Sequence, residues 1–293
     1  MLLLVDYSSL LYRAFFAMPD TVPMHGVHGF LGMLTRLIVD RRPTRVGIAV
    51  DDDWRPAFRV EALPVYKAHR VAEAVEDEED AIAVQEAFGR ELLAALGLAV
   101  IGAEGFEAED VIATLAAHTP GRVEIVSGDR DLFALVQDPR VAVLYPLRGV
   151  STPLLVDEAE ITRRYGIPGR AYLDFALLRG DPSDGLPGVK GIGEKTAAKL
   201  IAEHGSLDAV LAEASLPPAV ARKLDAGREY LAAARRVVPP VADVPLGAIE
   251  LQVPRSPIDT QAVARLARAH RLEAAVRRLA DALGIGESAA ESS

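Results

Sequence analysis

Short apolar runs alternate with stretches of helical periodicity through the first half of the chain. The runs predict buried strands at residues 2–5, 45–50, 98–101, 123–126 and 141–145. Between and after them the apolar spacing predicts helices at residues 10–18, 27–39, 83–96, 108–118 and 131–136. Strands that alternate with helices in this way favour an α/β fold, in which helices flank a mostly parallel central sheet.

The pattern changes after residue 157, where almost every segment has helical spacing. Helices are predicted at residues 157–165, 169–178, 207–213, 217–237 and 258–283, with a proline-rich extended segment at 238–257. We therefore expect an α/β region at residues 1–177 and a helical region at residues 178–285. The small polar residues at 286–293 are expected to form a disordered tail.

Aspartates follow three of the predicted strands. Asp6 and Asp51 come directly after the first and second strands, and Asp129 comes shortly after the fourth. Since the carboxyl ends of parallel strands meet at one edge of a sheet, where ligands bind, these side chains are expected to lie close together.

Further acidic residues occur at predicted helix starts and turns. They are Glu107, Glu109, Asp110, Asp131, Asp181 and Asp184. Each has an ordinary explanation, because acidic side chains cap helices and stabilise helix N-termini. Together, however, so many carboxylates at one edge could not all ionise without cations. Oxygen ligands and the absence of cysteine favour Mg²⁺ or Mn²⁺, and two ions about 4 Å apart could act on a phosphodiester.

A glycine-rich turn follows Asp184 and leads into a helix. Glycine lets a backbone approach a ligand closely, and a helix N-terminus attracts anions, so this turn favours binding of a phosphate backbone. Basic residues elsewhere are either ordinary surface residues or cations for phosphate. The candidates are Arg13, Arg59, Lys67 and Arg70.

Composition limits these interpretations. The net charge of −10 argues against indiscriminate coating of DNA, and the acidic run at residues 73–80 is expected to be solvated surface. The low aromatic content of 5% argues against base-stacking platforms. No apolar stretch is long enough to cross a bilayer and no basic leader is present, so we expect a cytoplasmic protein with no membrane partner.

Six blocks of the chain resemble, in order, those of the bacterial 5′ nucleases. They are VDYSSLLYRAFFA, VDDDWRPAFR, PVYKAHR, GFEAEDVIATLA, SGDRDLFALV and GDPSDGLPGVKGIGEKTAAKLI. This flap endonuclease and 5′→3′ exonuclease family includes the N-terminal nuclease domain of DNA polymerase I. The resemblance covers roughly the first three quarters of the chain. It implies a PIN-like or resolvase-like core with a helical arch, followed by a helix–three-turn–helix that binds duplex DNA.

The resemblance also implies roles for individual residues. The metal-site carboxylates would be Asp6, Asp51, Glu107, Glu109, Asp110, Asp129, Asp131, Asp181 and Asp184. Lys67 and Arg70 would be the catalytic arch cations at the scissile phosphate, with Arg13 and Arg59 on other DNA phosphates. Duplex DNA would contact Gly188, Lys190, Gly191, Gly193, Lys195, Thr196 and Lys199. Main-chain carbonyls of the same turn could hold a K⁺ ion.

Three positions depart from the family pattern. Glu109 stands where bacterial members usually carry Asp, Gly185 replaces a frequent Asn, and the segment after Arg70 is unusually acidic for an arch over DNA. Because flap endonucleases of the eukaryotic type carry Glu at the position of Glu109, we expect the nuclease activity to be retained.

The expected function is therefore a structure-specific 5′ nuclease of DNA replication and repair. It would act as a monomer on DNA with 5′ flaps, nicks or free 5′ ends, by a two-metal-ion mechanism. Two alternatives remain: a non-catalytic DNA-binding relative, and a PIN-type ribonuclease. The glycine turn and the block with Lys67 and Arg70 argue against the ribonuclease.

Overall fold

The computed structural model describes residues 1–73, 76–147 and 149–285. The tail predicted at 286–293 lies outside these residues. The acidic run at 73–80 also lies largely outside, since the side chains at 72–79 are not described. Among the described residues, no helix is both long and apolar enough to cross a membrane.

A six-stranded sheet forms the centre of the first region. Its strands are β1 (Leu2–Asp6), β2 (Arg45–Ala49), β3 (Ala99–Ile101), β4 (Val123–Val126), β5 (Val141–Tyr145) and β6 (Leu154–Val156). They lie in the order β3-β2-β1-β4-β5-β6, and only the β5–β6 pair is antiparallel. The predicted α/β fold with a mostly parallel sheet is thus confirmed. The three-residue β6 was not predicted because so short a run shows no periodicity.

Helices cover the sheet. Those of the first region are α1 (Tyr7–Ala17), α2 (His25–Arg41), α3 (Ala57–Ala62), α4 (Ala68–Glu73), α5 (Glu76–Ala95), α6 (Ala108–His118) and α7 (Glu158–Tyr165). The sequence did not predict α3 and α4, because six residues give less than two turns of periodicity. The helix predicted at 131–136 is a 3₁₀ turn, Asp131–Leu135.

The chain after α7 is helical. Its helices there are α8 (Tyr172–Arg179), α9 (Glu194–His204), α10 (Leu207–Ala212), α11 (Pro218–Ala226), α12 (Arg228–Val237), α13 (Thr260–Ala269) and α14 (Glu273–Leu283). The first of them lies mostly before residue 178, where the helical region was expected to begin. Two segments predicted as single helices are each divided. Gly227 separates α11 from α12, and Arg271, with a φ of 58°, lies between α13 and α14.

The two faces of the sheet bury separate apolar layers. Leu2 and Leu4 of β1 belong to the layer that includes α6, α8 and α9, whereas Leu3 and Val5 belong to the layer of α1, α2 and α5. The last two helices return to this second layer, α13 against α5 and α14 against α2. The helical region predicted at 178–285 therefore contributes to both faces, and the extended segment between α12 and α13 crosses beside β2, where Val46 N donates to the Leu251 carbonyl.

Two glycines bring the end of α8 against the glycine turn. Gly180 and Gly188 have φ values of 78° and 66°. A Cβ on Gly188 would overlap the carbonyl group of Arg179, and a Cβ on Gly180 would overlap the backbone of Gly188. This close approach fixes the turn relative to Asp181 and Asp184, which lie between the two glycines.

Gly188→Ala should therefore lower the free energy of unfolding by about 2 kcal/mol or more, since it adds a side chain at positive φ and a backbone overlap. Gly193→Ala is the matched control. Gly193 has a φ of −87° and no heavy atom within 4 Å of an added Cβ, so its loss should stay below about 1 kcal/mol. Urea unfolding followed by circular dichroism measures both, and equal losses would contradict the close approach.

Candidate metal centre

The strand-end aspartates come together as the sequence predicted. Asp6 ends β1 and caps α1, because its Oδ1 accepts from Ser9 N at 3.1 Å while its Oδ2 accepts from Ser127 Oγ at 2.5 Å. The strands on either side of β1 lead to Asp51 and Asp129. Because both strands run parallel to β1, their carboxyl ends bring the three aspartates to one edge. Repulsion from both of the other carboxylates contributes to the raised pKa of Asp6.

The other acidic residues approach the same edge from loops and helix starts. Asp129 Oδ1 accepts from Asp131 N at 2.8 Å, and Asp181 Oδ1 accepts from Ser183 N at 2.8 Å. Asp131 lies at the start of the 3₁₀ turn that follows β4, and its Oδ1 is buried without a hydrogen-bond partner. Asp184 lies one short 3₁₀ turn after Asp181.

Burial and mutual repulsion raise several pKa values at this edge. The pKa of Asp6 rises to about 7, first through burial and then through Asp51. Burial also raises the pKa of Asp129 and of Asp131; the largest further contribution comes from Asp184 in the first case and from Asp129 in the second. Burial raises the pKa of Glu109 as well, although Arg59 opposes it. Asp6, Asp129 and Asp131 thus have too little positive charge around them, and a site of oxygen donors that lacks positive charge fits a hard divalent cation.

The oxygens of the candidate ligands do not surround a common point in the described part of the chain. The described part of the chain contains no group of three or more His, Asp or Glu side chains that could hold an ion as they stand. Some carboxylates instead bind cations of the chain: Arg70 Nη2 donates to Asp184 Oδ1 at 2.7 Å, and Arg179 Nη2 donates to Asp181 Oδ2 at 3.3 Å. An ion that uses these oxygens must displace or share their arginine partners.

Arg59 lies beneath the acidic edge, with 0% of its surface exposed. It forms ion pairs with Glu107, Asp110 and Glu109, and its Nε donates to the Val237 carbonyl at 3.0 Å. This placement corrects the expectation that Arg59 contacts DNA phosphate, because the guanidinium has no exposed surface. It also gives Glu109 a cation that sequence spacing could not reveal.

The structure also corrects the prediction that Asp110 is a metal ligand. Each of its oxygens accepts from Arg59, at 2.7 and 2.9 Å, and the backbone N–H groups of Val241 and Glu107 donate to the same two oxygens at 2.7 and 3.1 Å. A metal ion could bind Asp110 only by breaking this buried network. We therefore replace its expected role as a ligand with a structural one.

The remaining predicted cations lie around the site. Lys67 is buried, and its Nζ donates to Glu107 Oε1 and, at 3.4 Å, to the Trp54 carbonyl. Arg70 lies at the rim, with 43% of its side chain exposed. The guanidinium of Arg13 lies against Gly128, 3.0 Å from where a Cβ would stand, and so next to Asp129.

The glycine turn presents cations to solvent. Lys190, Lys195 and Lys199 are exposed, and Thr196 is half-buried at the start of α9. Sequence reasoning missed Lys223 on α11, whose Nζ donates to the Gly191 carbonyl at 2.8 Å across 32 residues of chain. One carbonyl of the turn is thus already paired with a cation of the protein.

Two further arginines were missed. Arg179 binds Asp181 from the end of α8, and Arg90 of α5 donates to Asp52 Oδ1 at 2.7 Å and to the Asp51 carbonyl at 2.6 Å. No local motif marks Arg90, because it meets its partners only after folding. The position of Arg179, two residues before Asp181, is a signal that could have been used.

Comparisons with known proteins agree with this architecture. Two family profiles match the chain: the 5′-3′ exonuclease N-terminal resolvase-like domain at residues 1–166 and the 5′-3′ exonuclease C-terminal SAM fold at residues 167–261. A 5′-3′ exonuclease of Streptomyces coelicolor is 46% identical over 295 residues, which cover 94% of this chain and 98% of that protein. DNA polymerase I of Mycobacterium tuberculosis is 41% identical over 279 residues, 90% of this chain but 30% of the polymerase.

Solved structures share the fold. The T5 D15 protein co-crystallized with metal ions has a TM-score of 0.69 at 19% identity, covering 96% of this chain and 99% of its own. The catalytic core of Rad2 in complex with DNA has a TM-score of 0.59 at 20% identity, covering 96% and 91%. At these identities the likeness supports the fold alone.

Arg59→Met should destabilise the protein by about 3–5 kcal/mol, because it leaves several buried carboxylates without their shared cation. The matched control is Arg70→Met, which removes the exposed partner of Asp184 and should cost less than about 1 kcal/mol. Urea unfolding in EDTA measures both. A loss at Arg59 as small as that at Arg70 would contradict its role beneath the site.

Without divalent ions, the free energy of unfolding should fall as pH rises from about 4 to 7. The ordinary pKa of Asp6, 3.8, rises to about 7 in the folded protein. Between these values the folded state keeps a proton that the unfolded state has lost, and this contribution disappears as pH passes the folded pKa. Asp6→Asn keeps an acceptor for Ser9 N, so in EDTA at pH 8 it should be about 1–3 kcal/mol more stable than the parent.

Thermal unfolding at pH 5 and pH 8, with EDTA and with Mg²⁺, measures this effect. Asp20→Asn, at an exposed aspartate outside the site, is the control and should leave the pH dependence unchanged. An Asp6→Asn variant with the same pH slope as the parent would show that Asp6 does not carry the charge imbalance.

Proposed function

The chain belongs to the 5′-3′ exonuclease family, and on that premise we propose that it is a structure-specific 5′ nuclease that hydrolyses DNA beside 5′ flaps, nicks or free 5′ ends. The observation that carries the proposal is the carboxylate edge, where the buried Asp6 and Asp131 and the half-buried Asp129 have too little positive charge. The proposal includes a two-metal-ion mechanism, action in replication and repair, and a monomeric enzyme.

Divalent ions, Mg²⁺ or Mn²⁺, fit this donor set. The candidate ligands with oxygens outside the Arg59 network are Asp6, Asp51, Asp129, Asp131, Asp181 and Asp184, joined by Glu109 if it leaves Arg59. Glu107 is held by Lys67, Arg59 and the Tyr66 hydroxyl, and it supports the floor of the site. When bound, such ions supply a Lewis acid for the phosphate and lower the pKa of the attacking water.

The chain's own cations would hold the phosphate in place. Lys67 is fixed by Glu107 and lies 5.0 Å from the Tyr66 ring centre, so its ammonium is placed before substrate arrives. Arg70 on α4 and Arg13 on α1 flank the edge: Arg70 pairs with Asp184, and Arg13 lies beside Gly128. Fixed positive charge at these points stabilises charge that develops on a phosphodiester.

The duplex would bind at the glycine turn. Exposed Lys190, Lys195 and Lys199 and the N-terminus of α9 face solvent together, which suits contacts to a phosphate backbone. The same turn offers carbonyls to a K⁺ ion, although that of Gly191 is already bonded to Lys223. Recognition through backbone and shape would make cleavage depend on DNA structure rather than on sequence.

A surface for unpaired bases lies on α1. Tyr12 and Phe16 are exposed, and their ring centres are 4.7 Å apart. Tyr12 lies about 9 Å and Phe16 about 15 Å along α1 from the Asp6 cap, so the pair stands along the helix rather than at the carboxylate edge. The low aromatic content therefore does not exclude base stacking, because this helix exposes two aromatic side chains as it leads away from the site.

Asp129→Asn and Asp181→Asn should each reduce cleavage of a 5′-flap DNA by at least about 100-fold, because each removes a charged ligand. Flap affinity in Ca²⁺ should change by no more than about threefold, since duplex binding rests on the turn. Asp208→Asn on α10, where the aspartate pairs with exposed Arg235, is the control and should leave both unchanged.

Product maps on end-labelled flap, nicked and blunt DNA and on single-stranded RNA, in Mg²⁺ and in Mn²⁺, complete the test. Full cleavage by the two site variants would support a binding-only relative with a contaminating nuclease. Preference of the parent protein for RNA would replace the proposal with a PIN-type ribonuclease.

A further inference from the structure

Trp54 is the only tryptophan in the chain, and it stands 44% exposed in the loop between β2 and α3. This loop begins with Asp51 at the carboxylate edge. The indole takes part in none of the aromatic pairs or cation–π contacts found among the described residues. A large apolar side chain that packing leaves open beside a reactive site suggests a partner in the substrate.

The backbone before Trp54 is held on two sides. Asp51 Oδ1 accepts from Ala108 N at 2.7 Å, and Arg90 donates to the Asp51 carbonyl at 2.6 Å and to Asp52 Oδ1 at 2.7 Å. Asp53 N donates to the Phe106 carbonyl at 3.2 Å. These bonds attach the loop to α5, to the first residue of α6 and to the segment before α6.

The backbone after Trp54 is held as well. Arg55 N donates to Asp53 Oδ1 at 3.0 Å, and the Arg55 guanidinium donates to the carbonyls of Tyr66 and Pro64 at 2.7 and 3.0 Å. The carbonyl of Trp54 itself accepts from Lys67 Nζ at 3.4 Å. The loop is thus fixed by several hydrogen bonds while the indole stays open to solvent.

We propose that Trp54 stacks on a base of the DNA strand whose phosphate is held at Lys67. This inference rests on the proposed nuclease function and adds a substrate contact to it. Lys67 bonds both to Trp54 and to Glu107, so a phosphate beside Lys67 places its own nucleotide or a neighbouring one within reach of the indole. A platform fixed before binding loses little conformational entropy, and stacking accepts any base, which suits recognition by structure.

The single tryptophan makes the proposal directly measurable. The tryptophan fluorescence of the parent protein comes from Trp54 alone. When 5′-flap DNA is titrated in Ca²⁺, this fluorescence should be quenched until binding saturates. Trp54→Leu keeps apolar bulk without an aromatic face and should weaken flap binding roughly 5- to 100-fold, whereas Trp54→Phe should remain within about threefold of the parent. The KM for flap cleavage should rise in Trp54→Leu, while kcat at saturating DNA stays near that of the parent.

Ile258→Ala is the control for loss of an exposed apolar side chain. Ile258 is 81% exposed and lies near Gly97, which precedes β3 at the opposite end of the strands from the carboxylate edge. Its variant should bind and cleave like the parent. Thermal unfolding and the Mg²⁺-induced rise in Tm should be unchanged in both Trp54 variants, which separates a substrate contact from a structural one.

2-Aminopurine placed in turn on each side of the cleaved bond identifies the stacked base. One position should show emission that differs between the parent and Trp54→Leu. The stacking proposal is overturned, with the nuclease assignment intact, if the parent binds and cleaves the flap without quenching, if Trp54→Leu binds as tightly as the parent, or if no 2-aminopurine position responds. A parent protein that neither binds nor cleaves the flap overturns both.

Discussion

The buried guanidinium of Arg59 is the interaction on which the rest of the site depends. It joins α3, which carries it, to the first turn of α6 through Glu107 and Asp110, and to the last carbonyl of α12 through Val237. A cation at a helix C-terminus and acidic residues at a helix N-terminus are each favourable with respect to the helix dipole. One side chain therefore fixes the α/β core, the acidic helix start and the helical region relative to each other.

This arrangement divides carboxylates of the site into two groups with different roles. Glu107 and Asp110 are neutralised from within by Arg59 and Lys67, so they form a rigid floor. Asp6 and Asp131 are buried and Asp129 is half-buried, all without comparable cations, and their raised pKa values express that imbalance. The positions of Glu107 and Asp110 are therefore held by the protein's own cations. Asp6, Asp129 and Asp131 would therefore need positive charge from a bound ion, whereas Glu107 and Asp110 would not.

The sequence predicted that the strand-end aspartates lie at one edge of the sheet. It could not predict which carboxylates are neutralised by the protein's own cations and which are not. Asp6, Asp51 and Asp129 follow apolar runs, and parallel strands must bring their carboxyl ends to one side, so their meeting follows from topology. Arg59 and Glu107 are 48 residues apart, and the six-residue helix that carries Arg59 is too short for a periodic signal. Motif resemblance suggested a surface cation there. The burial of Arg59 could not be predicted from the sequence, because it depends on the packing of α12, from the other half of the chain, over α3.

The net charge of −10 was the strongest objection to a DNA-binding protein, and the structure shows why it has little force. Net charge is a sum, whereas binding to a phosphate backbone depends on where the charges lie. Lys190 on the glycine turn and Lys195 and Lys199 on the following helix α9 are exposed, and Arg70 lies at the rim of the acidic edge. Divalent ions at that edge would reverse its local sign, so that the most acidic part of the surface becomes the part that attracts phosphate. An acidic chain would then bind nucleic acid only where lysines and metal ions together supply the positive charge.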